Sequence, residues 1–558
     1  LTNDLKNSGA SPPSDGTPSA RELLCVLAAL VTLTGLSVNW FFKNAYLLYY
    51  GDAQAHLNIS RGILDSRTPG YEQIGSVWLP VLHLICLPFV GNNWLWTTGL
   101  AGAIPVSLCF VIAGVFFFLA ARLAYDSRLA AIVTLACFAL NPNILYLATI
   151  PMTEAVFLAE LALALFSILR FRQTQQRGLI WLAGVSILLA TLTRYDGWFL
   201  IPFTGLALAA GAEKHRWLVF LEFCLIAGLG PLYWLAHNYY IYGDPLEFYR
   251  GPYSAQAIYQ RALDAGLERY RGDHQFGYAI EYYAVAGKLC TGTPLIWLGC
   301  LGALGALLKR RFVPLLFLLL TPLFYTWSVY SSNAPIFMPH LWPFSYYNTR
   351  YGIAVLPLAA FAAGALVLVV PARWRTWTLL IPLVAGSVWL VSPSREKWIC
   401  WKESQVNSVS RRAWTNAAAA FLRKNYQPGQ GILSSSGDVP GILCAASIPL
   451  KESLNIGNGA EWLATVTRPD LYHRPLWAIA QAGDSLSKEL DTANWKLPVY
   501  RVVDEIQAKD APVLLIYRRT NESSVFDFRK PTRKFDLDER FGSGGQPRPP
   551  QKNEEDDQ

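Results

Sequence analysis

The chain is short of charge. Of its 558 residues, 15% are Asp, Glu, Lys or Arg and 53% are hydrophobic, whereas a soluble domain carries about 25% charged residues. That shortage excludes a fully solvated globular protein. Recognisable soluble-enzyme motifs are missing too: there is no P-loop, no GxGxxG at a strand–helix junction and no HExxH, so nucleotide-phosphate and zinc-peptidase chemistry have nothing to stand on. Nine Cys are scattered, most of them in apolar runs, without a CxxC pair. This excludes a zinc ribbon and a disulfide framework. Cys400 and Cys444 fall in the polar C-terminal part and are the pair open to bridging. Methionine is scarce, with two in all, and the chain opens on Leu, which reads as a non-Met start or a trimmed product. No internal repeat of the kind that builds two-halved transporters is present.

What is there is long apolar runs. From Glu22 to Val391 they recur at lengths of roughly 18 residues or more, enough to cross a bilayer. The run near Leu23 is not a cleavable signal, because no small-residue cleavage site follows and further runs come later. Eleven spans are predicted, at about 22–42, 95–121, 129–147, 151–169, 178–193, 197–211, 217–241, 286–308, 312–330, 350–371 and 376–392. Residues 77–90 are apolar but short and carry Pro80 and Pro88, so they read as an interfacial or re-entrant helix. The net charge of +8 is read as basic loops anchoring spans, not as a nucleic-acid surface. Five basic clusters fix the orientation: Arg122 with Arg128; Arg170, Arg172 and Arg177; Lys214 with Arg216; Lys309 to Arg311; and Arg373 with Arg375. All fall on the side of the N-terminus, which short-loop Lys and Arg mark as cytoplasmic.

The predicted fold class is therefore mostly α: a polytopic transmembrane helical bundle with a large first outer loop and a small C-terminal soluble α/β domain. Residues 1–20 and 540–558 read as disordered tails, 21–393 as the membrane domain and 395–535 as the soluble domain on the non-cytoplasmic face. In the last, Gly431–Ser434 and Pro512–Tyr517 read as buried strands and Ala413–Tyr426 as an amphipathic helix. Asn58-Ile59-Ser60 and Asn521-Glu522-Ser523 are glycosylation sequons, a pattern that also arises by chance. Short loops and tail composition point to a bacterial plasma membrane.

The outer face collects the unusual polar residues. Asp52 and His56 stand four apart in Tyr50-Gly51-Asp52-Ala53-Gln54-Ala55-His56 and share one side of a helix if 52–65 is helical; a capping Asp is the plainer alternative. Glu154 ends the turn Thr149–Glu154, where a helix dipole alone would suit it. Arg194 and Asp196 lie in Arg194-Tyr195-Asp196-Gly197-Trp198, as a site pair or as a mutually neutralised turn. The 331–351 loop brings His340, Trp342, Tyr346, Tyr347 and, at the lip of a span, Arg350. Its aromatics suit an interfacial belt as well as a ligand. Arg350 suits a phosphate through its planar donor fork. Asp52, His56 and Glu154 are the residue types of a metal site, but no spacing requires one.

With Gly51-Asp52 after the first span, a half-buried second helix around Trp78-Leu79-Pro80 and His83, and Glu154 in the second outer turn, the chain resembles the GT-C-type membrane glycosyltransferases. The likeness is to the branch of dolichyl-phosphate-mannose–protein mannosyltransferases and bacterial aminoarabinose transferases, over roughly residues 22–392. That branch often has an adjacent acidic pair in the first outer loop; here Asp52 is followed by Ala53, so a single acid carries over. The resemblance implies transfer of a sugar, with inversion, from a polyprenyl-phosphate donor in the membrane lipid to an acceptor on the outer face that the sequence does not specify, with no cofactor required. Asp52 would be the general base and Arg350 would stabilise the leaving phosphate. His56 and Glu154 would orient Asp52 or bind sugar hydroxyls, and Arg194, Asp196, His340 and Tyr347 join them as substrate-binding candidates. A transporter or flippase of lipid-linked saccharides is the alternative, and it predicts charges near the bilayer midplane and paired broken spans.

Overall fold

The structure is a computed structural model. It describes residues 18–391, 393–435, 439–468, 472–494 and 499–520. Both expected tails except residues 18–20, the sequon at Asn521 and the end of the soluble domain lie outside the described residues. The chain forms two compact units, 1–57 with 75–407, and 58–74 with 408–558.

The first unit is helical. Among the described residues, five helices are long and apolar enough to cross a membrane: Ala20–Lys43, Leu100–Tyr125, Arg216–Tyr242, Val313–Tyr330 and Thr349–Leu368. A sixth is counted if Phe276–Thr291 and Thr293–Leu308, which meet at a 106° bend, form one span. Eleven long apolar helices are thus not what the chain builds, and the breaks have local causes. The expected 129–147 span divides into Arg128–Ala139 and Pro142–Leu147. Pro142 has no N–H to continue a helix, and the Asn141 side chain caps the new one by accepting from Asn143 N (2.9 Å) and Ile144 N (3.4 Å). The expected 286–308 span turns at Gly292, whose φ of 88° suits a residue without Cβ. The 376–392 stretch is a 3₁₀ segment followed by two short helices, Ile381–Ala385 and Ser387–Leu390. Residues 151–169 do form a 21-residue helix, Glu154–Thr174, but Glu154 and Glu160 sit in it, which lowers its apolarity. Val81–Val90 is short, as read from its prolines.

Small residues set the closest helix contacts. Gly299, Gly302 and Gly305 repeat every three residues along Thr293–Leu308 and face Ala359, Ala362 and Val369. Membrane helices associate through such small-residue rows because apolar lipid offers no hydrophobic drive between them.

Among its described residues the second unit carries a five-stranded sheet: β1 (Ile432–Ser434), β2 (Ser453–Leu454), β3 (Trp477–Gln481), β4 (Tyr500–Ile506) and β5 (Leu514–Arg519), in the order β2-β1-β3-β5-β4. β1 runs parallel to β2 and β3; β5 is antiparallel to β3 and β4. Strand alternation divides its side chains between two cores. Ile432, Trp477, Ile479, Leu514 and Ile516 pack with Trp414, Ala418 and Leu422 of the Ile399–Asn425 helix. Leu433, Ala478, Ala480 and Tyr517 pack with Trp462, Val466, Leu486 and Leu490. Both expected strands and the expected helix are present, the helix far longer than Ala413–Tyr426.

A Cβ at Gly302 would lie 1.8 Å from the Ala362 carbonyl oxygen, whereas one at Gly35 would meet nothing within 4 Å. Gly302→Ala is therefore expected to destabilise by about 1–3 kcal/mol through overpacking, and Gly35→Ala not at all. Thermal unfolding of the two purified variants in one detergent checks this; equal midpoints would refute it.

Candidate active site

The site forms where three distant stretches of the first unit present carboxylates to a guanidinium carried by a fourth. Gly51 starts a helix that runs to Leu64, and Asp52 stands inside its first turn, where a negative charge suits the dipole. Glu154 opens the Glu154–Thr174 helix. Its approach is held by Asn141 and Asn143, whose side-chain amides donate to the Cys290 carbonyl at 3.0 and 2.9 Å. Arg350 lies in the 3₁₀ turn Thr349–Ala354. Glu403 comes from the first turns of Ile399–Asn425.

Each nitrogen of the Arg350 guanidinium takes a different carboxylate. Nη2 donates to Asp52 Oδ2 at 2.6 Å, Nε to Glu154 Oε1 at 3.2 Å and Nη1 to Glu403 Oε1 at 3.2 Å. The Arg350 backbone N–H adds a bond to Glu403 Oε2 at 3.3 Å. The rings of Tyr50 and Tyr351 each lie 5.0 Å from its Cζ, within cation–π range.

The network extends through Arg194, whose Nη1 reaches Glu154 Oε1 at 3.4 Å and Thr153 Oγ1 at 2.6 Å. Its Nε lies 3.3 Å from Asp196 Oδ1. The Tyr325 hydroxyl accepts from Arg194 and donates to Asp196 Oδ2 at 3.1 Å. The charges thus alternate along Asp52, Arg350, Glu154, Arg194 and Asp196, with Glu403 as a branch. Asp52 alone in this set is open: 41% of its side chain is exposed, against 12% for Arg194, 7% for Arg350, 3% for Glu154, 2% for Asp196 and 1% for Glu403. A small cavity of about 20 Å³, room for a water, is lined by Glu154, Arg194, Asp196, Tyr325 and Tyr351 among others.

Of the sequence candidates, Asp52, Glu154, Arg194, Asp196 and Arg350 are therefore brought together. Tyr347 adjoins them: burial first, then Tyr351 and the Asp52 charge, push its phenol up to about 12, so it is a neutral hydroxyl at ordinary pH. His340 is exposed and outside the network. The 51–64 helix exists, but His56 does not pair with Asp52. It is buried, its Nδ1 lies 2.9 Å from His83 Nε2 and its ring packs on Trp78. Burial, then Arg350 and Arg194, lower its pKa to about 3, so it is a neutral imidazole. Among the described residues no group of three or more His, Cys, Asp and Glu side chains is arranged to hold a metal ion. Cys400 lies beside Cys290, with the sulfurs 3.9 Å apart.

Sequence reading missed Glu403, Tyr50, Tyr325 and Tyr351. Glu403 follows Lys402 in a polar stretch and carries no local sign of burial; only the fold puts it at 1% exposure. Nothing in the spacing of the tyrosines distinguishes them.

The sequence matches no family model and no curated protein. Among solved structures, the chain is similar to the crystal structure of ArnT from Cupriavidus metallidurans bound to undecaprenyl phosphate, with a TM-score of 0.54 and 13% identity, over 89% of this chain and 98% of that one. At that identity the likeness shows the fold alone: the chain shares the overall architecture of that protein, in keeping with the fold that the sequence resemblance implied.

Two outcomes follow from the geometry. Arg350→Met strands the buried Glu403 and leaves Glu154 to Arg194 alone; removing one partner of a buried ion pair costs about 3–5 kcal/mol, so a lower unfolding midpoint, partly restored by adding Glu403→Gln, is expected in thermal scans. The unfolded His56 takes a proton near pH 6.5 and the folded one near 3. Its contribution to stability is thus complete above 6.5 and falls with decreasing pH, by up to about 1.4 kcal/mol per unit. The midpoint difference between wild type and His56→Asn should therefore shrink as the pH drops from 7 to 4.5; a constant gap would contradict the neutral imidazole.

Proposed function

We propose that the chain is a glycosyltransferase that moves a sugar from a polyprenyl-phosphate carrier to an acceptor hydroxyl on the non-cytoplasmic membrane face. The observation that carries this reading is Asp52: the one open carboxylate of an otherwise buried charge network, held by Arg350 in the first turn of the Gly51–Leu64 helix. In this reading the ion pair engages Oδ2 and leaves Oδ1 to the acceptor. As the acceptor oxygen attacks the anomeric carbon, its proton passes to Oδ1. The bond from that carbon to the phosphate oxygen breaks, and polyprenyl phosphate leaves with the electron pair. A single displacement inverts the anomeric centre.

General-base help of this kind is worth typically about 10²–10⁴-fold. A phosphate monoester is a good leaving group at neutral pH, so the reaction asks for charge stabilisation more than for protonation. Arg350 is engaged on all three nitrogens, which favours it as the holder of Asp52 over the phosphate role inferred from sequence. Glu154, Arg194 and Asp196 serve by keeping that guanidinium in place. Tyr347 offers a neutral hydroxyl to the sugar, and the apolar face of Val81–Val90 a bed for the prenyl chain. The shorter apolar helices, among them Arg128–Ala139 and Gly178–Thr191, complete the eleven crossings, with the five basic clusters in the cytoplasm and the soluble domain, residues 395–535, outside.

The test uses purified protein in lipid vesicles with radiolabelled polyprenyl-phosphate sugars and a membrane extract as acceptor source. Release of polyprenyl phosphate with label on an acceptor is expected. Asp52→Asn should lower the rate by about 10²–10⁴-fold at an unchanged unfolding midpoint, and a variant as fast as wild type would sink the role of Asp52. Label crossing the vesicle wall with the carrier intact would instead favour the transporter reading.

A further inference from the structure

Arg350 needs more than charge to hold Asp52; it needs a direction. A guanidinium is planar, so fixing two of its nitrogens fixes where the third points. Glu154 fixes Nε and Glu403 fixes Nη1, both from buried positions, and Nη2 is left to meet Asp52 at the open edge. Glu403 does more than Glu154 here. Its Oε1 takes the side-chain nitrogen and its Oε2 the backbone N–H of the same residue, so one carboxylate ties both ends of the Arg350 side chain and restricts its rotamers.

The helix that carries Glu403 is itself fastened. The Cys400 N–H donates to Asn143 Oδ1 at 3.1 Å, the Cys400 carbonyl accepts from the Tyr50 hydroxyl at 2.8 Å, and Ser404 Oγ lies 2.8 Å from the Tyr146 hydroxyl. Residues 400, 403 and 404 share one helix face, so these bonds set the height and rotation of Glu403. Two of the fasteners, Tyr50 and Asn143, stand near Asp52 and Glu154 in the chain.

We infer that Glu403 is a positioning residue of the transfer reaction: it never meets substrate, being 1% exposed, and acts by aiming the Arg350 guanidinium at Asp52. This rests on the role proposed above for Asp52. Losing Glu403 leaves Arg350 paired to Glu154 but free to rotate about that bond, so Asp52 loses a fixed orientation and the turnover step slows, while the binding of a lipid-linked donor does not depend on it.

The experiment compares wild type, Glu403→Gln and Glu403→Asp in vesicles. Glu403→Gln should lower kcat about 10–100-fold with KM for the polyprenyl-phosphate sugar within about threefold, and Glu403→Asp, which keeps the charge, should recover part of kcat. Wild-type kcat in Glu403→Gln, or a loss carried wholly by KM, overturns the inference. If Glu403→Gln does not fold, the kcat of Glu403→Asp alone decides it: reduced supports, unchanged overturns. A cryo-EM structure of the folded variant gives a readout independent of turnover: the Arg350–Asp52 contact should open beyond 4 Å, and retention of the 2.6 Å pair overturns the inference. Absence of transfer by wild type would instead be a failure of the proposed function.

Discussion

A single buried guanidinium organises the site. Taking a carboxylate out of water costs several kcal/mol even after relaxation, and Glu154 and Glu403 are both nearly sealed. Arg350 offsets that cost for the two together and still presents a nitrogen to Asp52. Remove it and Glu403 loses its cation, while Glu154 is left to Arg194 alone. The partners are also far apart in sequence, at 52, 154 and 403, so this pairing depends on the whole first unit being folded, and the first unit in turn depends on the pairing.

Arg194 repeats the device. It shares Glu154 Oε1 with Arg350 and adds Asp196 and two hydroxyls. The result is a line of alternating charge in which each interior member faces opposite charge on two sides and only the end member, Asp52, is substantially exposed. Such an arrangement suits a site that must keep one carboxylate in a fixed place at a membrane surface. Rigidity comes from the buried part, and the proposed base stands at the one open end.

Much of this was legible in the sequence, and the reason is physical. Ionisable residues are rare in a chain this apolar, so Asp52, Glu154, Arg194, Asp196 and Arg350 were conspicuous, and basic loops placed them on one side. The strands at Ile432 and Leu514 were legible from their apolar runs. Glu403 was not, because a buried Glu next to Lys402 looks like a solvated helix face until its partner is known. His56 was read one helical turn from Asp52 with the right periodicity; what periodicity does not supply is the neighbour across the gap, His83. The expected length of each span departs from the structure for a related reason. Hydropathy sums over a window, and it does not register Asn141-Pro142 or Gly292, where the backbone turns.

The bend at Gly292 has a consequence for which side chains the chain can tolerate elsewhere. A helix that stops there leaves carbonyls at its last turn without the N–H groups that would have followed. The Cys290 carbonyl is taken by two amides, from Asn141 and Asn143. Carbonyl ends carry partial negative charge, so these two positions want a donor and reject an anion. Asn to Asp at either position would place a carboxylate against that end and loosen the turn leading to Glu154. The amide character of two buried side chains is thereby coupled to the geometry of a carboxylate more than ten residues away.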